Sequence, residues 1–216
     1  RPGNLPGCIG TESVIAPPLV SSIDGIKRIS QQNLIYRNLP RQNLLFKVIN
    51  IMTDIGEGWR PRKGQKDING VEIPDRIYTN SDYDYNIIIE DRIQQVAQEI
   101  TNYLKSTDRM AKTIVFCATE DAALRMRDAL AKLNADMMKE NPDYVVRITG
   151  GDDYGKSKLK YFISVSSPYP VIATTSKLLS TGADCKMTKL IVLDEMIGSM
   201  TEFKQIIGRG TRLREK

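Results

Sequence analysis

The stretch Lys112–Leu133, KTIVFCATEDAALRMRDALAKL, sets the reading of the whole chain. Thr113–Cys117 is a short apolar run rich in β-formers, the pattern of a strand buried on both faces. Thr119 follows as an N-cap candidate, with Glu120 and Asp121 where a helix dipole favours negative charge. Ala122, Ala123, Met126, Leu130 and Leu133 then recur at helical spacing. A buried strand running straight into a helix is half of a βαβ unit.

The same alternation continues on both sides. Upstream, Ile89, Ile93, Val96, Ile100 and Leu104 form one helical stripe that ends near Ser106–Asp108. Downstream come strands at Tyr144–Ile148, Pro170–Thr174 and Lys189–Asp194, with a short helix over Lys158–Phe162. Ser199 and Glu202 make an S-x-x-E capping box that opens a last helix through Ile207. Alternating strands and helices predict an α/β fold, a mostly parallel sheet with helices on both faces. Before this region the pattern weakens. Residues 1–43 are broken up by Pro2, Gly3, Pro6, Gly7, Gly10, Pro17 and Pro18 and hold no steady period. Phe46–Ile51 then reads as a strand, and Asn69-Gly70 within Lys63–Tyr78 predicts a hairpin with a type I′ turn.

Composition removes several chemistries. The 216 residues contain no histidine, which excludes Ser-His-Asp triads, Cys-His pairs and His-ligated zinc. Three cysteines, Cys8, Cys117 and Cys185, lie far apart, so neither a disulfide framework nor a Cys-rich metal site is expected, and a reducing compartment fits. Apolar runs are too short to span a bilayer. The chain begins at Arg1 without a signal-peptide pattern and has the look of a fragment or processed piece. The net charge is +5; residues 199–216 hold five basic residues against two acidic, a cluster that is either a solvated tail or a site for phosphates.

Two segments suggest nucleotide chemistry. Gly150–Ser157, GGDDYGKS, fits G-x-x-x-x-G-K-[ST], and the strand ending at Asp194-Glu195 resembles an acidic magnesium motif. Together they describe a self-contained P-loop NTPase using Lys156, Ser157 and Asp194. Against it, Asp152 and Asp153 would place like charge in a cradle built for an anion. The other segment is Gln205–Arg212, QIIGRGTR. Gly208 and Gly210 would let the backbone leave the helix and bring Arg209 and Arg212 to one side, where planar, permanently charged guanidiniums suit a polyphosphate. A helix end decorated by dipole-complementing arginines is the plainer alternative.

The segment fits Q-x-x-G-R-x-x-R and so resembles motif VI of superfamily 2 helicases and translocases. Thr174–Asp184, TTSKLLSTGAD, looks like their motif V, and Thr113–Cys117 like their motif IV strand. The wording of Asp75–Asp84, Lys112–Cys117, Asn141–Asp152, Pro170–Asp184 and Ser199–Glu215 is similar to the motor (R) subunit of type I restriction enzymes, from about Phe46 to Lys216.

The resemblance implies a RecA-like helicase C-terminal domain over residues 76–216, truncated at its end, after an irregular extension over 1–75 that contains the hairpin. It implies ATP and Mg2+ held mainly by a first motor domain, with the two domains clamping the nucleotide and stepping along DNA. In that frame Gly150–Ser157 and Asp194 are not the nucleotide site. By the same resemblance Arg212 is the arginine finger and Arg209 its companion, with Gln205, Gly182 and Asp184 lining the cleft. Thr119, Thr174, Thr175 and Lys177 would contact DNA phosphate; Thr119 as a simple N-cap and Asp184 as a turn-former are the alternatives. The implied partners are double-stranded DNA, the first motor and nuclease domains of the same subunit, and specificity and methyltransferase subunits, in the cytoplasm and without a membrane. No nuclease constellation stands out, so the piece alone is expected neither to cut DNA nor to hydrolyse ATP well. A non-catalytic basic module that only holds phosphate is a further alternative.

Overall fold

The computed structural model describes the backbone of residues 19–20, 28–29, 34–38, 45–49, 52–53, 58–176 and 185–211, and the side chains of 58–176 and 185–206. In chain order the elements are β1 (Leu19–Val20), β2 (Arg28–Ile29), β3 (Leu34–Asn38), β4 (Leu45–Ile49), β5 (Met52–Thr53), β6 (Ile88–Ile89) and α1 (Glu90–Ser106). Then come β7 (Thr113–Cys117), α2 (Glu120–Leu133), α3 (Ala135–Glu140), β8 (Val145–Arg147), α4 (Asp153–Ile163), β9 (Ile172–Thr175), β10 (Leu190–Asp194) and α5 (Met200–Thr211).

Four strands form the expected parallel sheet, in the order β10-β7-β9-β8. Side chains alternate across it. Val115, Cys117, Val145, Ile172, Leu190 and Val192 face α1 and α2, whose stripe of Ile93, Val96, Ile100, Leu104, Met126 and Leu130 is buried against them. Ile114, Phe116, Val146, Ala173 and Ile191 face the other way, where Phe162 of α4 and Ile206 of α5 cover them. Each Val, Leu, Ile, Phe or Met side chain among them contributes roughly 1.5–3 kcal/mol by leaving water.

The sheet is wider than expected. β3 pairs antiparallel with β10, and β4 antiparallel with β3, giving the order β4-β3-β10-β7-β9-β8. The strand expected at Phe46–Ile51 is β4. Residues 1–43, which hold no steady period, nonetheless contribute β3 and the short pairings β1–β6 and β2–β5. Leu34–Asn38 has no clean alternation. Its strand form rests on hydrogen bonds from partners remote in sequence, and such tertiary context outweighs local preference.

Residues 58–89 build a third apolar cluster of Trp59, Ile73, Tyr78, Tyr83, Ile87 and Ile89. Trp59 and Tyr78 exchange two backbone hydrogen bonds of 2.7 Å. The hairpin is present, with Lys66 opposite Glu72, but its turn is not type I′. Only Gly70 has positive φ (+80°), whereas type I′ needs it at both central residues. Asp67 takes over: its carbonyl accepts from Gly70 N–H, and its carboxylate accepts from the N–H groups of Asn69 and Val71 at 2.9 and 2.8 Å. The result is a three-residue loop with glycine at the left-handed position.

Asp82 organises the next turn. Its carboxylate accepts from Thr79 N–H at 2.9 Å, Asn86 Nδ2 at 2.8 Å and the Arg76 guanidinium at 2.8 Å. The Thr79 amide, then Asn86 and Arg76, hold this carboxyl at about 2, below the ordinary carboxylate range. A depressed carboxyl stabilises the fold above its unfolded value, near pH 4, and that stability is lost as pH falls towards 2. Acid titration of thermal stability should therefore show a loss between pH 4 and 2 that the Asp82→Asn variant lacks.

Candidate functional site at the C-terminal edge of the parallel strands

Because β7, β8, β9 and β10 run parallel, their C-terminal ends open on one edge, the usual place for ligands in an open α/β sheet. Thr119 lies there at the start of α2, and its Oγ1 accepts from Ala122 N–H at 3.0 Å. It is the N-cap that its spacing suggested. Thr174 is fully buried, and its hydroxyl donates to Ala123 O at 2.8 Å, fastening β9 to α2. Thr175, beside Phe116 in the register, is buried with no hydrogen-bond partner for Oγ1. Thr149, one strand over, shares that condition. Sequence reasoning passed over Thr149; its signal was a hydroxyl between a strand end and the glycine pair Gly150-Gly151. Buried polar groups nearly always have partners, so each of these orphaned hydroxyls stands out at its strand end.

The phosphate-loop lookalike sits on this edge too, but its donors are occupied. Gly151 N–H donates to Glu120 Oε1 at 3.2 Å. Asp152 caps α4 by accepting from Gly155 N–H at 3.0 Å and pairs with Arg147 at 3.1 Å. Lys156 pairs with Asp153, and the Ser157 hydroxyl donates to Tyr154 O. The chain's own carboxylates thus fill the places an anion would take. Gly155 is there for packing: a Cβ would lie 2.0 Å from the Arg147 carbonyl oxygen. Gly155→Ala must push α4 off β8, and a loss of about 1–3 kcal/mol is expected in a urea titration, the usual cost of overpacking.

Asp194, the other half of that lookalike, is committed elsewhere. It is buried at the end of β10, where Arg92 Nη2 donates to it at 2.5 Å, while Arg92 Nη1 donates to Asp84 at 3.0 Å. Burial raises the Asp194 carboxyl to about 6 against the opposing pull of Arg92, and raises Asp84 in the same way. Burial also works against the charge on Arg92, but Asp194 and Asp84 more than offset it, and its pKa stays above the ordinary arginine value. Asp84 is the one non-glycine residue with positive φ (+65°) among the described residues. Cys117, opposite Asp194, is buried and its thiol is pushed well up by burial, so it is no nucleophile. Nothing in the sequence pointed to this cluster: Arg92 reads as an ordinary polar position on α1.

The arginine segment lies on α5. Ser199 Oγ accepts from Glu202 N–H at 3.1 Å, as the capping box requires, and buried Ile206 seats the helix on the sheet. Gln205 is exposed. The expected helix end at Ile207 is wrong: α5 continues through Gly208 and Gly210 to Thr211, so the glycines do not release the backbone. A glycine inside a helix costs only about 1 kcal/mol, which packing of the helix can outweigh. Gln205 and Arg209 are therefore one helical turn apart. The Arg209 side chain, and Lys177, Gly182, Asp184 and Arg212 altogether, lie outside the described residues. Among the described residues no group of three or more Cys, Asp or Glu is placed to hold a metal ion, and no helix is long and apolar enough to cross a membrane.

No protein-family model matches the chain. It is 54% identical over 172 residues to the type I restriction enzyme EcoAI endonuclease subunit of Escherichia coli, an alignment covering 79% of this chain and 21% of that protein. It is 31% identical over 152 residues to the EcoKI endonuclease subunit of Escherichia coli strain K12, covering 68% of this chain and 13% of that protein. Among solved structures it resembles a fragment of an HsdR subunit of a type I restriction enzyme from Vibrio vulnificus YJ016. That match has a TM-score of 0.56 and 48% identity, covering 58% of this chain and 24% of the other. The fold is accordingly the RecA-like α/β sheet that the motif order implied. The chain belongs to the endonuclease (R) subunits of type I restriction enzymes, and spans about a fifth of the length of the EcoAI relative.

Proposed function

We propose that this chain supplies the second half of an ATP-driven DNA motor in a type I restriction enzyme. The observation that carries the reading is the arginine segment Gln205–Arg212, in the family's motif order, whose residues 205–211 lie on a helix seated against one face of the parallel sheet. We take residues 76–216 as the motor unit and 1–75 as an extension that lends β3 and β4 to its sheet. ATP would be held mainly by a first motor domain outside this chain. The groups presented here fit a polyphosphate by chemistry: exposed Gln205 can accept and donate, and Arg209 and Arg212 carry permanent, forked positive charge. Gly182 and Asp184 would line the same cleft. ATP, when bound, supplies the free energy of phosphoryl transfer to water. No described residue is assigned to Mg2+, because Asp194 is bound by Arg92.

DNA would be gripped through its phosphates, independently of sequence. Thr119 and Lys177 are the proposed contacts; Thr174 and Thr175, both fully buried, would serve them from inside, Thr174 by fixing α2 to β9. The specificity and methyltransferase subunits, the nuclease domain and a cytoplasmic setting follow from the family reading. The test is ATP hydrolysis in a full-length R subunit bearing this sequence, with and without DNA. Strong stimulation by DNA, and none from this chain alone, is expected. ATP hydrolysis by this chain alone, abolished by Lys156→Ala, would instead revive the self-contained phosphate loop.

A further inference from the structure

Three separate pieces of chain meet at one guanidinium. Arg92 stands in the first turn of α1. Its Nη1 reaches Asp84, in the turn of the 58–89 module, and its Nη2 reaches Asp194, the last residue of β10. All three side chains are largely buried, at 16, 4 and 6% exposure. Asp84 adopts a left-handed backbone conformation with φ of 65°, uncommon for a residue other than glycine, and such outliers persist only where the surroundings over-determine them. Tyr83 also lays its ring beside the Arg92 guanidinium at 5.8 Å.

The place of this cluster matters more than its energy. From Asp194 the chain runs through residues 195–199 into α5, whose other fixed points are the Ser199 cap and buried Ile206. The near end of that connection is therefore tied twice, by the backbone register that sets Asp194 opposite Cys117 and by the side-chain bond from Arg92. Geometry at a reacting centre is unforgiving: a misplacement of about 1 Å costs on the order of 10²-fold in rate.

We propose that Arg92 is a positioning residue of the motor, which, through Asp84 and Asp194, sets where α5 presents Arg209. The proposal rests on the reading of the arginine segment given above. A fork spanning two carboxylates is something lysine cannot reproduce, because its ammonium is a single point charge. Arg92→Lys keeps the positive charge and loses the span.

The experiment is steady-state ATP hydrolysis by a full-length R subunit bearing this sequence, assembled with its partner subunits on DNA. Arg92→Lys is expected to lower kcat by about 10–10²-fold, with KM for ATP and DNA affinity within about twofold of the parent. In an Arg209→Ala background the same change should lower kcat no further, since both act through one group. A merely structural role would give the same fold loss in both backgrounds, and that outcome overturns the proposal. So does a parent-like kcat for Arg92→Lys. If Arg92→Lys does not fold, Asp84→Asn, which keeps an acceptor and removes a charge, is measured against the same criteria. Parent-like kcat in Arg209→Ala itself would sink the reading of the arginine segment, and this proposal with it; Arg209→Ala inactive with Arg92→Lys unaffected would sink this proposal alone.

Discussion

Arg212→Ala in a full-length R subunit is expected to lower DNA-stimulated ATP turnover by about 10³–10⁵-fold, the range found for arginine fingers. The size follows from when the contact forms. Charge develops on the transferring phosphoryl group only as the bond to the leaving group stretches, so a guanidinium aimed there binds the transition state far better than the ground state. KM for ATP and affinity for DNA should then change little, because neither reports the transition state. Arg212→Lys should recover only part of the loss, since an ammonium cannot make the paired contacts of a fork. Steady-state kinetics on the two variants and the parent decide it. Normal turnover in Arg212→Ala would remove the finger from this residue.

The second large effect concerns stability. Arg92→Met leaves Asp84 and Asp194 buried without their shared cation. Breaking a buried ion pair from one side costs about 3–5 kcal/mol, on the order of 10 °C in thermal midpoint for a chain of this size. The pH dependence gives a check on the cause. Burial already raises the Asp194 carboxyl to about 6 in the parent, with Arg92 pulling the other way; without Arg92 both carboxyls rise further. A carboxyl raised above its unfolded value costs stability when ionised. That cost grows as pH climbs from about 4 and is relieved as pH falls. Arg92→Met should therefore be most damaging near pH 8 and should approach the parent near pH 4–5. This slope is opposite to that expected from Asp82, whose contribution disappears in acid. Thermal melts of both proteins across this range test it, and a deficit independent of pH would point to lost packing instead.

How much of this was legible beforehand depends on how local each cause is. Thr119 capping α2 and Ser199 capping α5 are decided within four residues, and both stand as read. The four parallel strands follow from runs of apolar β-formers that hardly depend on their neighbours. The turn at Gly70 was half legible: the glycine was seen, but Asp67, three residues earlier, decides the turn type through its own carboxylate. α5 was stopped too early because glycine was weighed by local preference, whereas Ile206 packs against the sheet. Least legible were Arg92 with Asp194, and β3 with β10. Their partners are far apart in sequence, and no periodicity records such pairings. Of the candidate site, Thr119, Thr174 and Thr175 lie at or just beyond the C-terminal ends of the parallel strands, and the hydroxyl of Thr174 is turned to a structural bond.

The pairing of β3 with β10 also bears on how the protein is made. Leu34 lies opposite Val192, so β3 must wait until all the residues between them have been made before its partner exists. A ribosome adding about 5–20 residues per second leaves it waiting for several seconds or more. β3 and β4 are close enough in sequence to pair with each other first and to hide one edge in the meantime. Docking of that strand pair on β10 would then have to await the synthesis of β10, and a nascent chain stalled before β10 should remain open to proteases at β3 and β4.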